Sequence, residues 1–250
     1  MKYKKLLLIL GLLAIIIPSV SQAGLGVYLG AGSGITKGLW HFEGSSSDSS
    51  GNGNNGTDTA ISYGLSYGKF GQGANFNGST GYISMGNVLG FEYNQSFTIA
   101  TWWKNNNTVS QNTISKQQNI SPYAGYGIGT SISGYPQVFL YRDGNGAFIK
   151  TIPTLLNDKL HFVVMTYDGS NTINGLKMYV DGVLSNTTTD SNITFTLSIL
   201  STTPFQISGR GGTGLLMNGN IDEVIIENVA WTPTQIQKYY TNAKGRFGTL

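Results

Sequence analysis

The run Asp48-Ser49-Ser50-Gly51-Asn52-Gly53-Asn54-Asn55-Gly56 gathers hard oxygen donors on a flexible stretch of chain. A carboxylate at Asp48, amide or carbonyl oxygens at Asn52 and Asn54, and a path bent sharply at Gly51 and Gly53 are what Ca²⁺ takes as ligands. The same residues suit an Asx-turn loop in which Asp48 only caps its own backbone, and the sequence leaves both readings open. A second chemistry lies in the aromatic residues Trp102, Tyr123, Tyr126, Tyr135 and Tyr141, with Arg142 beside the last of them. Flat apolar rings next to hydrogen-bonding groups can cover the C–H face of a sugar while amides and charges bond its hydroxyls. Tyrosines in the segment from Ser121 to Tyr135 read as loop residues that the core does not need. An exposed apolar loop could equally dock a protein.

Catalytic chemistry finds little support. Along a strand, Glu223 and Glu227 share a face about 13 Å apart, well beyond the ~5 Å that retaining glycoside hydrolysis needs. Asp222 is expected on the other face. His41 and His161 have no acid or nucleophile partner nearby in sequence and read as packed strand residues. With no cysteine, thiolate zinc sites, disulfides and cysteine nucleophiles are excluded. The expectation is a non-enzymatic module.

The elements that would position these groups are strands. Gly38 to Glu43, Phe97 to Trp103, Gln137 to Arg142, Ala147 to Ile152, His161 to Tyr167, Leu176 to Val180 and Ile221 to Glu227 carry apolar or alternating patterns between turn signals. One of Trp102 and Trp103 must face a core, since neighbours on a strand point to opposite faces. Asp143-Gly144-Asn145-Gly146 favours a hairpin. One helix is expected near the end, opened by the capping box Thr232-Pro233-Thr234-Gln235 and stopped at Gly245. Thirty-five glycines and 11 % charged residues agree with an all-β protein rich in turns. The pattern predicts two packed antiparallel sheets with one short C-terminal helix.

Residues 1–23 read as a secretory signal peptide. Lys2, Lys4 and Lys5 form a positive start, Leu6 to Ile17 an apolar stretch, and Ser21 and Ala23 a small-residue cleavage site. As a helix the stretch rises about 18 Å, short of the ~30 Å bilayer core, so no membrane association is expected after cleavage. The protein is expected outside the cell. A Gly-rich lead-in covers 24–36, the sandwich 37–244 and a tail 245–250. The formal charge of +3 rests on the three leader lysines, and without them 12 basic residues balance 12 acidic ones. Nucleic acid is therefore excluded as an expected partner.

Five segments in order resemble the laminin-G-like members of the concanavalin A-like lectin/glucanase superfamily. They are Leu39–Glu43 with the Asp48–Gly56 loop, Gly68–Gly73 with Phe76–Ser79, Phe97–Trp102, His161–Gly169 with Leu176–Gly182, and Gly219–Val224 with the closing helix. Leu160 departs from the family, which usually has Trp before the His. The resemblance implies a jelly-roll sandwich with recognition loops, tied to carbohydrate binding or adhesion. It adds Asp222 as a second carboxylate beside Asp48, Asn52 and Asn54 for a structural Ca²⁺. Enzymes of the superfamily carry a Glu-x-Asp-x-x-Glu run that this chain lacks. The expected partner is a glycan or surface polysaccharide, with an extracellular protein contact as the alternative and polysaccharide hydrolysis as a more remote one.

Overall fold

The computed structural model describes residues 36–152, 159–186, 188–190 and 194–245. The expected signal peptide (1–23), nearly all of the lead-in and the tail after Gly245 lie outside the described residues. The strands begin with β1 (Thr36–Trp40), β2 (Thr57–Thr59), β3 (Ser62–Gly64), β4 (Gly73–Asn77), β5 (Tyr82–Ser84), β6 (Phe97–Asn105), β7 (Gln111–Gln117) and β8 (Gly125–Thr130). They continue with β9 (Pro136–Arg142), β10 (Gly146–Thr151), β11 (His161–Tyr167), β12 (Leu176–Val180), β13 (Val183–Leu184), β14 (Thr188–Asp190), β15 (Gln206–Ile207) and β16 (Asn218–Glu227). The helix α1 spans Pro233–Gly245.

Two antiparallel sheets form. The first runs β13-β12-β11-β6-β16-β4-β3, with β1 also paired to β16. The second runs β14-β10-β9-β8-β7-β15-β5-β2. Alternation decides what each face buries. In β6, Phe97, Ile99 and Trp103 enter the inter-sheet core, where they meet Ile114, Tyr126, Val138 and Leu140 from the second sheet. Trp102 and Ala100 point the other way, yet that face is also dry. Helix α1 lays Ile236, Tyr239 and Ala243 against Trp102, Phe162 and Tyr179, with Leu160 packed at the margin of this cluster. The expected capping box closes the helix start: Gln235 N–H donates to Thr232 Oγ1 at 3.3 Å, and Thr232 N–H to Gln235 Oε1 at 2.8 Å. The first sheet is thus buried on both sides, and the outer face of the second is where a ligand has room.

Strict alternation fails in β16. The register with β6 jumps between Asp222 and Ile225, and Glu223 has φ +53°. At this bulge Glu223 Oε1 lies 2.8 Å from His41 Nδ1, while the Asp222 carboxyl accepts from the Lys69 and Phe70 N–H groups.

Candidate functional site

Strand β8 reads Gly125-Tyr126-Gly127-Ile128-Gly129, and Tyr126 and Ile128 belong to the inter-sheet core. The two-residue period therefore turns the three glycines outward. No side chain rises from this strip, so a trough runs along β8. Close approach to β7 demands glycine there. A Cβ on Gly127 would lie 2.5 Å from the Ile114 carbonyl oxygen, and one on Gly129 only 2.2 Å from that of Gln111. Register sets the walls. On β9, Tyr141, Phe139 and Gln137 stand opposite Gly125, Gly127 and Gly129. On β7, Gln117, Ser115 and Asn112 stand opposite the same three.

The segment after β15 folds back over β7 and closes one side. Ser115 Oγ donates to Gly209 O at 2.8 Å, and the Gln206 side chain brackets Gly212 with bonds of 2.9 and 2.7 Å. Asn112 N–H donates to Leu215 O at 2.9 Å, and Arg210 N–H to Gly214 O at 2.8 Å. Arg210 and Leu215 are thereby held at the trough. The Arg210 guanidinium lies 4.9 Å from the centre of the Tyr123 ring, a cation–π contact, and its Nε donates to Asn119 Oδ1 at 3.2 Å. Partial burial lowers the Arg210 pKa from its usual value, and the Tyr123 and Tyr141 hydroxyls act in the opposite direction. Gln117 Nε2 donates to Tyr123 O at 3.0 Å, and Asn112 Nδ2 to Gln117 Oε1 at 2.9 Å, so the amide wall is fixed. The resulting groove encloses about 320 Å³, and among the described residues none of those lining it is acidic. That volume reaches the lower end of the roughly 300–1,000 Å³ typical of small-ligand sites.

Of the six residues expected to contact a ligand, the groove unites Tyr123 and Tyr141. Trp102 is only 2 % exposed, because α1 and Phe70 cover it, so it cannot serve as an open platform. Tyr126 is a core residue rather than a loop residue; its ring packs on Phe91 and Phe97, and its hydroxyl donates to Leu89 O. Arg142 donates to Ser198 O at 2.8 Å, away from the groove lining, and Tyr135 sits exposed in the Ser131–Tyr135 turn. Sequence reasoning misses Phe139 and Arg210. Phe139 is legible as an alternate residue on β9, whereas Arg210 is delivered by a Gly-rich segment with no local pattern.

At the Asp48 loop, both carboxylate oxygens are engaged by the chain itself. Oδ1 accepts from the Leu39 and Ser50 N–H groups, each within 3.0 Å, and Oδ2 from Ser50 Oγ and Asn54 N at 2.9 and 2.8 Å. These bonds occupy the four lone-pair directions of a carboxylate. Asn52 and Asn54 donate their amide N–H groups to Thr36 O and Lys37 O, and both line a separate cleft of about 600 Å³ beside Phe91 and Asn94. Asp222 takes different partners, the Lys69 and Phe70 N–H groups at 2.7 and 2.8 Å. Its carboxyl is fully buried, and desolvation, reinforced by Glu223, pushes its pKa up to about 8.

The histidines have acid partners that the linear sequence conceals. His41 Nδ1 lies 2.8 Å from Glu223 Oε1, and His161 Nδ1 lies 2.8 Å from Asp181 Oδ2. Burial alone would lower the His41 pKa, but the Glu223 carboxylate overrides this and raises it. Glu227 accepts from Trp231 Nε1 at 2.6 Å and from Thr36 Oγ1 at 3.3 Å. None of these acids lines the groove.

Two antiparallel sheets packed face to face, with one outer face sealed by a helix and the other carrying a polar, aromatic-walled groove, define an all-β sandwich protein. A family model described as the concanavalin A-like lectin/glucanases superfamily matches residues 77–237, and the chain belongs to that family. Among solved structures, it is similar to domain 4 of AbnA, a GH43 extracellular arabinanase from Geobacillus stearothermophilus, in complex with arabinotriose. Identity is 21 % over 82 % of this chain and 98 % of that one, with a TM-score of 0.64. It is also similar to the binding domain of Paraclostridial Mosquitocidal Protein 1 (13 % identity, 85 % of this chain, TM-score 0.65). The binding domain of Botulinum neurotoxin DC in complex with SialylT is a third (15 % identity, 84 % of this chain, TM-score 0.58). The chain matches about half the length of these two toxin domains, 53 % and 51 %. No curated protein sequence matches it.

Proposed function

We propose that this protein is a non-enzymatic glycan-binding module acting outside the cell, and that the groove over β8 is its binding face. The observation that carries the reading is the pairing of two walls. The half-buried Tyr141, backed by the buried Phe139, stands on the β9 side with the Tyr123 ring joining the lining, and the neutral amides Asn112 and Gln117 stand on the β7 side, across β8. A sugar ring presents an apolar C–H face and a periphery of hydroxyls, which these walls match. Similar structures solved in complex with arabinotriose and with SialylT support a glycan as the ligand class. Among the described residues no carboxylate lines the groove, which supports binding over hydrolysis as its use.

The Asp48 loop acts as a brace behind β1. Ca²⁺, where the loop takes it, would draw on the Asp48 carboxylate together with oxygens of Asn52 and Asn54 and of the backbone, while Asp222 is engaged by the Lys69 and Phe70 N–H groups. Thermal melts in millimolar Ca²⁺ and in chelator separate the ion-braced loop from the self-bonded one.

Glycan-array screening followed by calorimetry tests the main reading. Wild-type protein is expected to bind a restricted set of oligosaccharides, and Tyr141→Ala to lose at least tenfold in affinity without loss of folding. A folded wild-type protein that retains no glycan overturns it.

A further inference from the structure

A groove can be lined by neutral amides and still select for charge. The lining here contains one cation and no anion: Arg210, with no Asp or Glu among the residues of either wall. A half-buried guanidinium is ordinarily compensated by a carboxylate, since removing a charge from water is costly. Arg210 has only partial compensation. Its Nε donates to the neutral Asn119 amide, and its Cζ lies over the Tyr123 ring, 4.9 Å from the ring centre. Among the described residues, no carboxylate and no acceptor meets its terminal Nη atoms.

The guanidinium is also pre-oriented. Its backbone is fixed by the bond to Gly214 O at 2.8 Å, and the loop that carries it is tied to β7 and β15 through Ser115 and Gln206. An arginine fork held by its Nε edge, with its far edge left without a partner, matches the planar pair of oxygens of an oxyanion. Amides alone would serve a neutral sugar equally well, so the uncompensated cation distinguishes the site.

We propose that the groove selects an anionic glycan, one whose sugar carries a carboxylate or a sulfate ester that pairs with the Nη edge of Arg210 while an adjoining ring lies along the half-buried Tyr141. This rests on the glycan reading given above and narrows it to a charge class. Arg210 is the specificity-determining residue, and the aromatic wall supplies affinity that is independent of charge.

The test uses the full chain and matched probes that differ only in the anion. These are α2,3-sialyllactose against lactose, an oligogalacturonide against its methyl ester, and a sulfated heparin oligosaccharide against its desulfated form, each by calorimetry at low and at physiological salt. At least one anionic member is expected to bind ten times more tightly than its neutral partner, with the preference shrinking as salt rises. Which pair shows the preference distinguishes carboxylate from sulfate. Arg210→Gln is expected to erase the preference while leaving residual binding, and Arg210→Lys to restore part of it, with unchanged melting midpoints showing that the loop persists. Equal affinity for both members of every pair, or a preference that survives in Arg210→Gln, overturns the proposal but leaves the glycan reading intact. Failure to bind any probe or any array glycan overturns both.

Discussion

Replacing Asp222 by an asparagine isolates one buried carboxyl and should flatten the dependence of stability on pH. In the folded protein, desolvation first and the neighbouring Glu223 second push the Asp222 pKa up to about 8, against the pull of the backbone N–H groups of Lys69 and Phe70. In the unfolded chain it returns to an ordinary aspartate value near 3.8. Between those limits the native state holds a proton that the unfolded state has released, so stability is greatest below the unfolded pKa and falls as pH rises towards 8. Over pH 5 to 8, three units at about 1.4 kcal/mol each give an upper limit of about 4 kcal/mol lost, for a group fully removed from solvent. His41 adds to the fall in the same direction, because its raised pKa contributes stability that is complete below about 6.5 and lost above the folded value. The substituted amide would keep an oxygen for the two N–H donors and cannot ionise. Urea unfolding of wild type and Asp222→Asn at half-unit intervals from pH 5 to 8 measures the difference. Wild type should lose several kcal/mol across the interval, and the variant should be flatter by most of the ~4 kcal/mol. Parallel curves would show that Asp222 is ionised throughout and that burial does not govern it.

The opposite sign is expected at Lys116. Its ammonium is buried, donates to Asn87 Oδ1 and Thr203 O, and has a pKa lowered to about 8 by desolvation. The unfolded chain therefore holds more protons above pH 8, and stability should rise from pH 8 to 10; Lys116→Met should abolish that rise in the same urea titration. Gly127→Ala drives a Cβ to 2.5 Å from the Ile114 carbonyl oxygen, and should cost about 1–3 kcal/mol, read as a drop in melting midpoint. Trp231→Phe removes the indole donor 2.6 Å from buried Glu227, and should cost about 2–3 kcal/mol by chemical denaturation, since a carboxylate loses a charge-assisted bond. Asp48→Ala releases four chain donors at once and should lower the melting midpoint in chelator as well as in Ca²⁺; an effect confined to Ca²⁺-loaded protein would assign the loop to the ion.

The sequence declares the first sheet and the β9–β10 hairpin of the second well, and β7 and β8 poorly, for a physical reason visible in the strands themselves. Phe97 to Trp103 and His161 to Tyr167 are apolar on both faces, because both faces are covered, and such runs stand out. Gln111–Gln117 is wholly buried yet mostly polar, since its outward residues are bonded under the Gly209 to Leu215 segment and Lys116 is held by loop acceptors. Gly125–Thr130 reads as loop because glycine disfavours strands, whereas here its absent side chains let β7 approach and leave the trough open. Tyr126 is misplaced with it, whereas Tyr123 and Tyr141 come together on one groove because one borders the strand and the other alternates on a recognisable neighbour. Arg210 meets Asn119 across 91 residues of sequence, and its neighbour Gly209 meets Ser115 across 94. No local pattern encodes such a meeting.

Division of labour between the sheets explains why the outer face of the second can be so loosely specified. The closing helix, the Glu227–Trp231 bond and the Asp222 clasp on the Lys69–Phe70 turn all act on the first sheet, whose two dry faces supply much of the hydrophobic burial. The second sheet needs only its inner face to remain in the sandwich. Its outer face is free to carry glycines, amides and an uncompensated arginine, features that add little to stability and whose cost the opposite sheet can absorb. A substitution such as Arg210→Gln or Tyr141→Ala should therefore alter binding far more than folding, whereas a change at Asp222 or Trp231 should do the reverse.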